Sequence, residues 1–259
     1  MTDSAMIKIR RASTLIQELI SLLKHKRAFI YALETNTIIG QRATFAKRNE
    51  DVIIEIATIC GDIIHNVRSS LDHAYWDIVS PFPASEKERR SLQFPFSEEE
   101  EGLEKAVKKR LADRVSQAFF KAIIDLKPHG GQNGNEDLFL IHRLDIFDKH
   151  KLLIPTGNFV SISSNDLISQ VPDFPRGMVN FGFGQNHRDV VWRVPPMSQT
   201  QRRAAKVPES GILVKDLNIP VEIVFQGTEV GALRPVIPAL RQLCDAATTA
   251  INTIRKVQQ

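Results

Sequence analysis

The sequence predicts an α+β fold: a helical bundle of about five to six helices with an inserted N-terminal hairpin and a C-terminal antiparallel sheet. Three observations predict it. Apolar residues recur at helical spacing over long stretches near both ends and in the middle of the chain. Residues 28–49 lose that period and hold what reads as a short hairpin. From Leu152 to Gly231, short β-type runs alternate with turn clusters.

The elements follow in order. Ile7, Leu15, Ile16, Leu19, Ile20, Leu22 and Leu23 form one stripe of a first helix. It ends near Lys24-His25-Lys26-Arg27, where cations suit the negative end of a helix dipole. Phe29 to Leu33 and Thr37 to Phe45 make the hairpin, with turn residues at Thr35-Asn36 or Gly40. Residues 51–79 resume the helical period, and Pro81 and Pro83 stop it. Phe94-Pro95-Phe96 is extended, because a residue before proline avoids the helical region. Ser97-Glu98-Glu99-Glu100 matches a capping box, and Lys105, Lys108, Lys109 and Arg110 close the helix it would open. A short helix spans Ser116 to Leu126, a Gly-rich loop Pro128 to Asn135, and another helix Glu136 to Lys151. Strand-like runs are Leu152–Ile154, Val160–Ile162, Met178–Phe183, Val190–Val194, Ile212–Val214 and Val221–Phe225. A last helix starts near Pro235 with the stripe Val236, Leu240, Leu243, Ala247, Ile251, Ile254. The terminal helices, each with one clean stripe, are expected to pack together. The organisation is a single domain over 1–259: a helical motif region 51–151, a β-rich region 152–231 and a closing helix 234–257.

Composition narrows the function classes. The chain has 259 residues, 42% hydrophobic and 25% charged, as folded globular proteins do. Two cysteines, Cys60 and Cys244, cannot build a disulfide scaffold or a four-thiolate zinc site. No run is apolar enough to span a membrane, and no signal peptide is read in the first residues, so the expected compartment is the cytoplasm. A net charge of +4 permits an anionic partner without requiring one. There is no phosphate-cradling P-loop, no dinucleotide glycine pattern and no nucleophile elbow, so no nucleotide cofactor is expected. The loop His129-Gly130-Gly131-Gln132-Asn133-Gly134 could hold an anion at the following helix start, but Glu136 and Asp137 would repel one.

Two segments carry groups with chemistry. In the first, Asp62, His65, Asn66, Ser69, His73 and Trp76 gather on one side of a helix, opposite Ile63, Ile64, Val67, Leu71 and Ala74. Arg68 and Asp72 flank that side one turn apart. A stripe of short polar groups beside a tryptophan suits a cleft wall or a subunit interface better than open solvent. In the second, His142, Asp145 and Lys149 share a face, Asp148 and His150 lie nearby, and apolar residues surround them. Buried Asp, Lys and His must be paired. The two sets are therefore expected within side-chain reach of each other. Each set reads either as a site or as a structural ion-pair network. A metal is not expected: His65 and His73 stand about 12 Å apart along a helix, and no Glu-x-x-His pair exists.

Residues 61–73, Gly-Asp-Ile-Ile-His-Asn-Val-Arg-Ser-Ser-Leu-Asp-His, resemble the "GDxxHNLRSALDH" helix of a family of uncharacterised bacterial proteins. Leu144-Asp145-Ile146-Phe147-Asp148-Lys149-His150-Lys151, after Gly130-Gly131, resembles that family's "LDxIDKHR" motif, with Phe147 and Lys151 as departures. The chain is also remotely similar to HEPN domains, whose motif is an Arg followed, four to six residues on, by a His. Arg68 and His73 fit with four residues between. That similarity implies a metal-independent endoribonuclease, with Arg68 and His73 as the catalytic pair. Arg68 would neutralise phosphorane-like charge and His73 would be the acid and base. His65, Asn66, Ser69, Asp72, Asp145, Asp148, Lys149 and His150 would support them. RNA is the implied partner and a homodimer through the motif helix the implied assembly. The alternative is a non-catalytic ligand-binding or interaction protein whose two motifs form a buried network.

Overall fold

In the computed structural model, described over residues 3–153, 155–158, 162–176, 190–225 and 233–257, the chain is α+β as expected. It divides into two compact units, each assembled from separated stretches: 1–22, 55–155 and 225–259, then 23–54 and 156–224. The helices are α1 (Ser4–His25), α2 (Glu50–Val79), α3 (Glu86–Arg90), α4 (Glu100–Lys109), α5 (Ala112–Val115), α6 (Gln117–Asp125), α7 (Glu136–His150), α8 (Ser164–Gln170), α9 (Gln199–Ala204) and α10 (Val236–Lys256). Six of them are those the sequence announces. The other four, α3, α5, α8 and α9, have at most seven residues, too few for an apolar period to show.

The first unit is helical. α1 buries Ala5, Ile9, Ala12, Leu15, Ile16 and Leu19, and α10 buries Leu240, Leu243, Ala247, Ile251 and Ile254. The two chain ends are tied where Arg255 donates from both terminal nitrogens to Asp3, each at 2.9 Å. That guanidinium holds the Asp3 carboxyl below its usual range. From Glu55 on, α2 buries residues on more than one face, among them Cys60, Ile63, Ile64, Val67, Leu71, Ala74 and Tyr75. A helix covered that widely is a central strut. The Tyr75 hydroxyl donates to Arg110 O at 2.9 Å.

The capping box at Ser97 does not form. α4 is capped by Glu99 without a side-chain bond, and the Ser97 hydroxyl donates to Glu99 O at 2.7 Å. The backbone of Ser97 is occupied elsewhere, giving its N–H to Pro128 O and accepting from Gly130 N. The Gly-rich loop is thus a structural clasp. A Cβ on Gly134 would lie 1.9 Å from His129 O, which only glycine avoids. The clasp delivers Asn135, whose side chain caps α7 by accepting from Leu138 N at 3.1 Å. Glu136 and Asp137 in the first turn are taken by Arg234, with Arg234 to Asp137 at 3.1 Å.

The second unit holds a four-stranded antiparallel sheet. The hairpin is β1 (Phe29–Asn36) and β2 (Gln41–Arg48), with Phe29 opposite Arg48 and Asn36 opposite Gln41. Its turn closes at Gly40, at φ +63°, and a Cβ there would meet Val194 O at 2.1 Å. β3 is Thr156–Asn158, β4 Val190–Arg193, β5 Ile212–Asp216 and β6 Glu222–Phe225. β4 flanks β2 and β5 flanks β1, giving the order β4-β2-β1-β5. The hairpin and the later strands therefore share one sheet, whereas the sequence reading keeps them apart. β3 pairs separately with β6, Thr156 opposite Val224. Leu152, Leu153 and Ile162 lie outside any strand. The strand expected over 178–183 and most of that over 160–162 lie outside the described residues.

Candidate functional site

The site forms in the first unit, where α2 faces α7. A Cβ on Gly61 would sit 2.5 Å from Asp148 Oδ2, so the absence of a side chain at 61 lets the Asp148 carboxyl lie against α2. Burial pushes the Asp148 pKa up, and the carboxylates of Asp145 and Asp62 push the same way. The N–H of Leu153 and the imidazole of His65 oppose them. One Asp148 oxygen, Oδ1, is buried without a hydrogen-bond partner.

One turn further along α2, His65 Nδ1 lies 3.3 Å from Asp145 Oδ1. Lys149 donates to Asp145 Oδ2 at 2.5 Å. Asp145 is only 3% exposed, and both of its partners reach solvent. Ser69 Oγ is 3.4 Å from His65 Nε2. The two motifs therefore meet, at the distance expected of them. Asn66 turns back to its own helix and donates to Asp62 O at 2.8 Å. His150 is exposed at the end of α7.

Arg68 points another way. It is 5% exposed, with Nη1 2.5 Å from Asp72 Oδ1. The two residues stand one turn apart on α2 and form an ion pair there. Nη2 reaches Phe94 O at 3.5 Å, and Cζ sits 4.8 Å from the centroid of the Phe96 ring. Asp72 also accepts from Phe94 N at 2.7 Å, which fastens the extended 94–96 segment to α2. Phe96 stacks on His142 of α7 with centroids 4.5 Å apart and planes 1° from parallel. Burial lowers the His142 pKa to about 4, and the charge of Arg68 adds to that.

These groups enclose a cavity of about 220 Å³ lined by Arg68, Phe94, Phe96, Lys109, Arg110 and His142 among others. Its described lining contains no acidic side chain. Arg110 donates to Ser91 O at 2.5 Å; burial and the nearby Arg68 charge lower its pKa. Three cations thus line this space, and one of them, Arg68, is paired with Asp72.

His73 lines a different cleft, of about 320 Å³, with Asp72, Trp76 and Leu92. Arg68 and His73 are five residues apart, about 140° around a helix, so one protomer does not aim them at one point. The groups the sequence reading passed over are Phe96, Lys109 and Arg110, with His142 noted there only as a neighbour of Asp145. In the sequence Phe96 signals only extended backbone, and the two cations only complement a helix dipole. They come together through tertiary contacts, among them Asp72 to Phe94, Arg110 to Ser91 and Phe96 on His142. Among the described residues, no group of three or more His, Cys, Asp or Glu side chains is placed to hold a metal ion. No described helix is long and apolar enough to cross a membrane. Comparison with protein-family models, curated proteins and solved structures finds no match.

Proposed function

We propose that this chain is a ligand-binding protein whose two polar motifs are mainly structural and whose binding site is the cavity at Arg68. The observation that carries this reading is a cavity lined by three cationic side chains, Arg68, Lys109 and Arg110, with no acidic side chain among its described lining. An anionic ligand would offset the mutual repulsion of these charges. The Asp145 and Asp148 contacts then hold α2 against α7 and keep Arg68 in place. Two buried free cysteines support a reducing, cytoplasmic setting. The test is a thermal-shift screen of the purified protein with small charged and neutral compounds. A stabilising compound whose effect is lost in Arg68→Met supports the reading; hits indifferent to that change defeat it.

A second reading is the HEPN-type endoribonuclease acting on RNA as a homodimer, with Arg68 and His73 as its pair. A two-fold contact through α2 would be needed to bring His73 of one protomer to Arg68 of the other. A separate observation favours acid–base chemistry in the same region. The exposed His65 imidazole, held by the buried Asp145 carboxylate, is oriented as a general base must be. RNA cleavage that persists in EDTA, is lost in His73→Ala or His65→Ala and comes from a particle of twice the chain mass would establish this reading. An inactive protein of single-chain mass would reject it.

A further inference from the structure

Resting on the ligand-binding reading, we infer that the occupant of the Arg68 cavity is a small dianion of the phosphate-monoester type. Charge decides the class. Arg68, Lys109 and Arg110 line the space, Asp72 pairs with Arg68 from outside it, and the described lining offers no carboxylate. A neutral ligand would leave this excess in place. A monoanion would leave part of it. A doubly charged oxyanion balances it.

Hydrogen-bonding geometry points the same way. Two guanidinium forks suit the paired oxygens of a phosphoryl group better than a single acceptor. Arg68 is buried, so its attraction for an anion is screened less than that of a surface cation. Lys109 is exposed and supplies a point charge at the mouth. The stacked Phe96 and His142 rings form an uncharged wall, because a histidine with its pKa near 4 is neutral at pH 7.

Size sets the limit. A cavity of about 220 Å³ is below the roughly 300 Å³ at which pockets take drug-sized ligands. It fits a phosphoryl group with a few carbons and excludes a stacked nucleotide base. Free phosphate and the phosphoryl group of a small metabolite share this chemistry. A phosphodiester of RNA does not, having one charge per phosphate and a long chain on both sides.

The experiment is calorimetric titration of the full chain at pH 7.5 with inorganic phosphate, glycerol phosphate, glycerol and a short RNA, with chloride matching ionic strength. The expected result is saturable one-to-one binding of inorganic phosphate or glycerol phosphate. Glycerol phosphate binding more tightly assigns a metabolite, and equal affinities assign free phosphate. Lys109→Glu, an exposed change that spares the fold, should weaken binding at least tenfold with an unchanged melting temperature. The His142 ring resonances should also move on binding, and the ring's pKa should rise as the anion offsets Arg68. Phosphate binding that ignores Lys109→Glu and leaves His142 unmoved overturns the inference as adventitious. Binding of glycerol with equal strength overturns the dianion class while the ligand-binding reading stands. RNA as the tighter ligand overturns both. Absence of binding by either phosphate probe overturns the dianion class, and the neutral arm of the thermal-shift screen then decides the broader reading.

Discussion

Protonation of His142 should drain stability from the fold as pH falls. Its ring is stacked on Phe96 beside the Arg68 charge, and its pKa sits at about 4 against an ordinary 6.5. The unfolded chain therefore takes up a proton near pH 6.5 and the folded one only near pH 4. Between these values the unfolded state binds more protons, so stability declines as pH falls through the window, and below it the loss is complete. At about 1.4 kcal/mol per tenfold change in proton affinity, the full effect has a ceiling of ~3 kcal/mol. The ring is partly exposed, and solvent screening reduces this to roughly 1.5 kcal/mol. His142→Phe keeps an aromatic ring against Phe96 and loses no bond at Nδ1, which has no partner. The assay is urea denaturation of both proteins at several pH values between 7.5 and 4.5. Stability at pH 7.5 should differ by less than ~1.5 kcal/mol, and wild type should fall behind the variant as pH drops. Two curves that run parallel across the window would refute the reasoning.

Three further outcomes follow from the same contacts. Gly61→Ala should cost ~1–3 kcal/mol, because its new methyl meets the Asp148 carboxyl at 2.5 Å, and much of that should return in the double variant with Asp148→Ala. Equal, additive losses in a denaturation cycle would show that the two residues do not touch. Arg68→Met should destabilise by ~2 kcal/mol at neutral pH, below the usual cost for breaking a buried pair because Asp72 keeps solvent contact and its bond to Phe94. A melting temperature equal to wild type would count against the buried pair. Asp148→Asn should stabilise at pH 7, since the raised pKa marks an ionised form that burial disfavours. That advantage should shrink as pH falls through the raised value and the wild-type carboxyl takes its proton. A variant less stable than wild type at pH 7 would mean that the charge is favourable.

The long helices were legible because each buries a stripe over many turns. α1, α2 and α10 need no tertiary information to be read, and neither does the hairpin with its glycine turn. The capping box failed for a tertiary reason. Ser97 matches the motif locally, yet its backbone pairs with the loop at Pro128 and Gly130, which holds it off the helix start. The sheet order was hidden because β4 and β5 lie far along the chain from the hairpin they flank. Of the site, the meeting of His65 with Asp145 was readable, since two sets of pairable groups against apolar flanks must find partners. The cavity was not. Arg68 looks like half of a helical ion pair, and Lys109 and Arg110 look like ordinary helix-end cations. Tertiary contacts far apart in sequence, such as Tyr75 to Arg110 and Asp72 to Phe94, bring them to one place.

The interleaving of the two units has a consequence for how the chain is made. The helical unit is interrupted twice, and its closing helix α10 is encoded after most of the sheet. During synthesis, the surfaces of α2, α6 and α7 emerge well before α10. The wait from residue 155 to residue 225 is about seventy residues, or roughly 4–14 s at ordinary elongation rates. The nascent protein holds an apolar surface open for that time, a window in which a chaperone has something to bind. Neither unit is a continuous stretch of chain, and a product truncated before α10 would carry an incomplete copy of the helical unit.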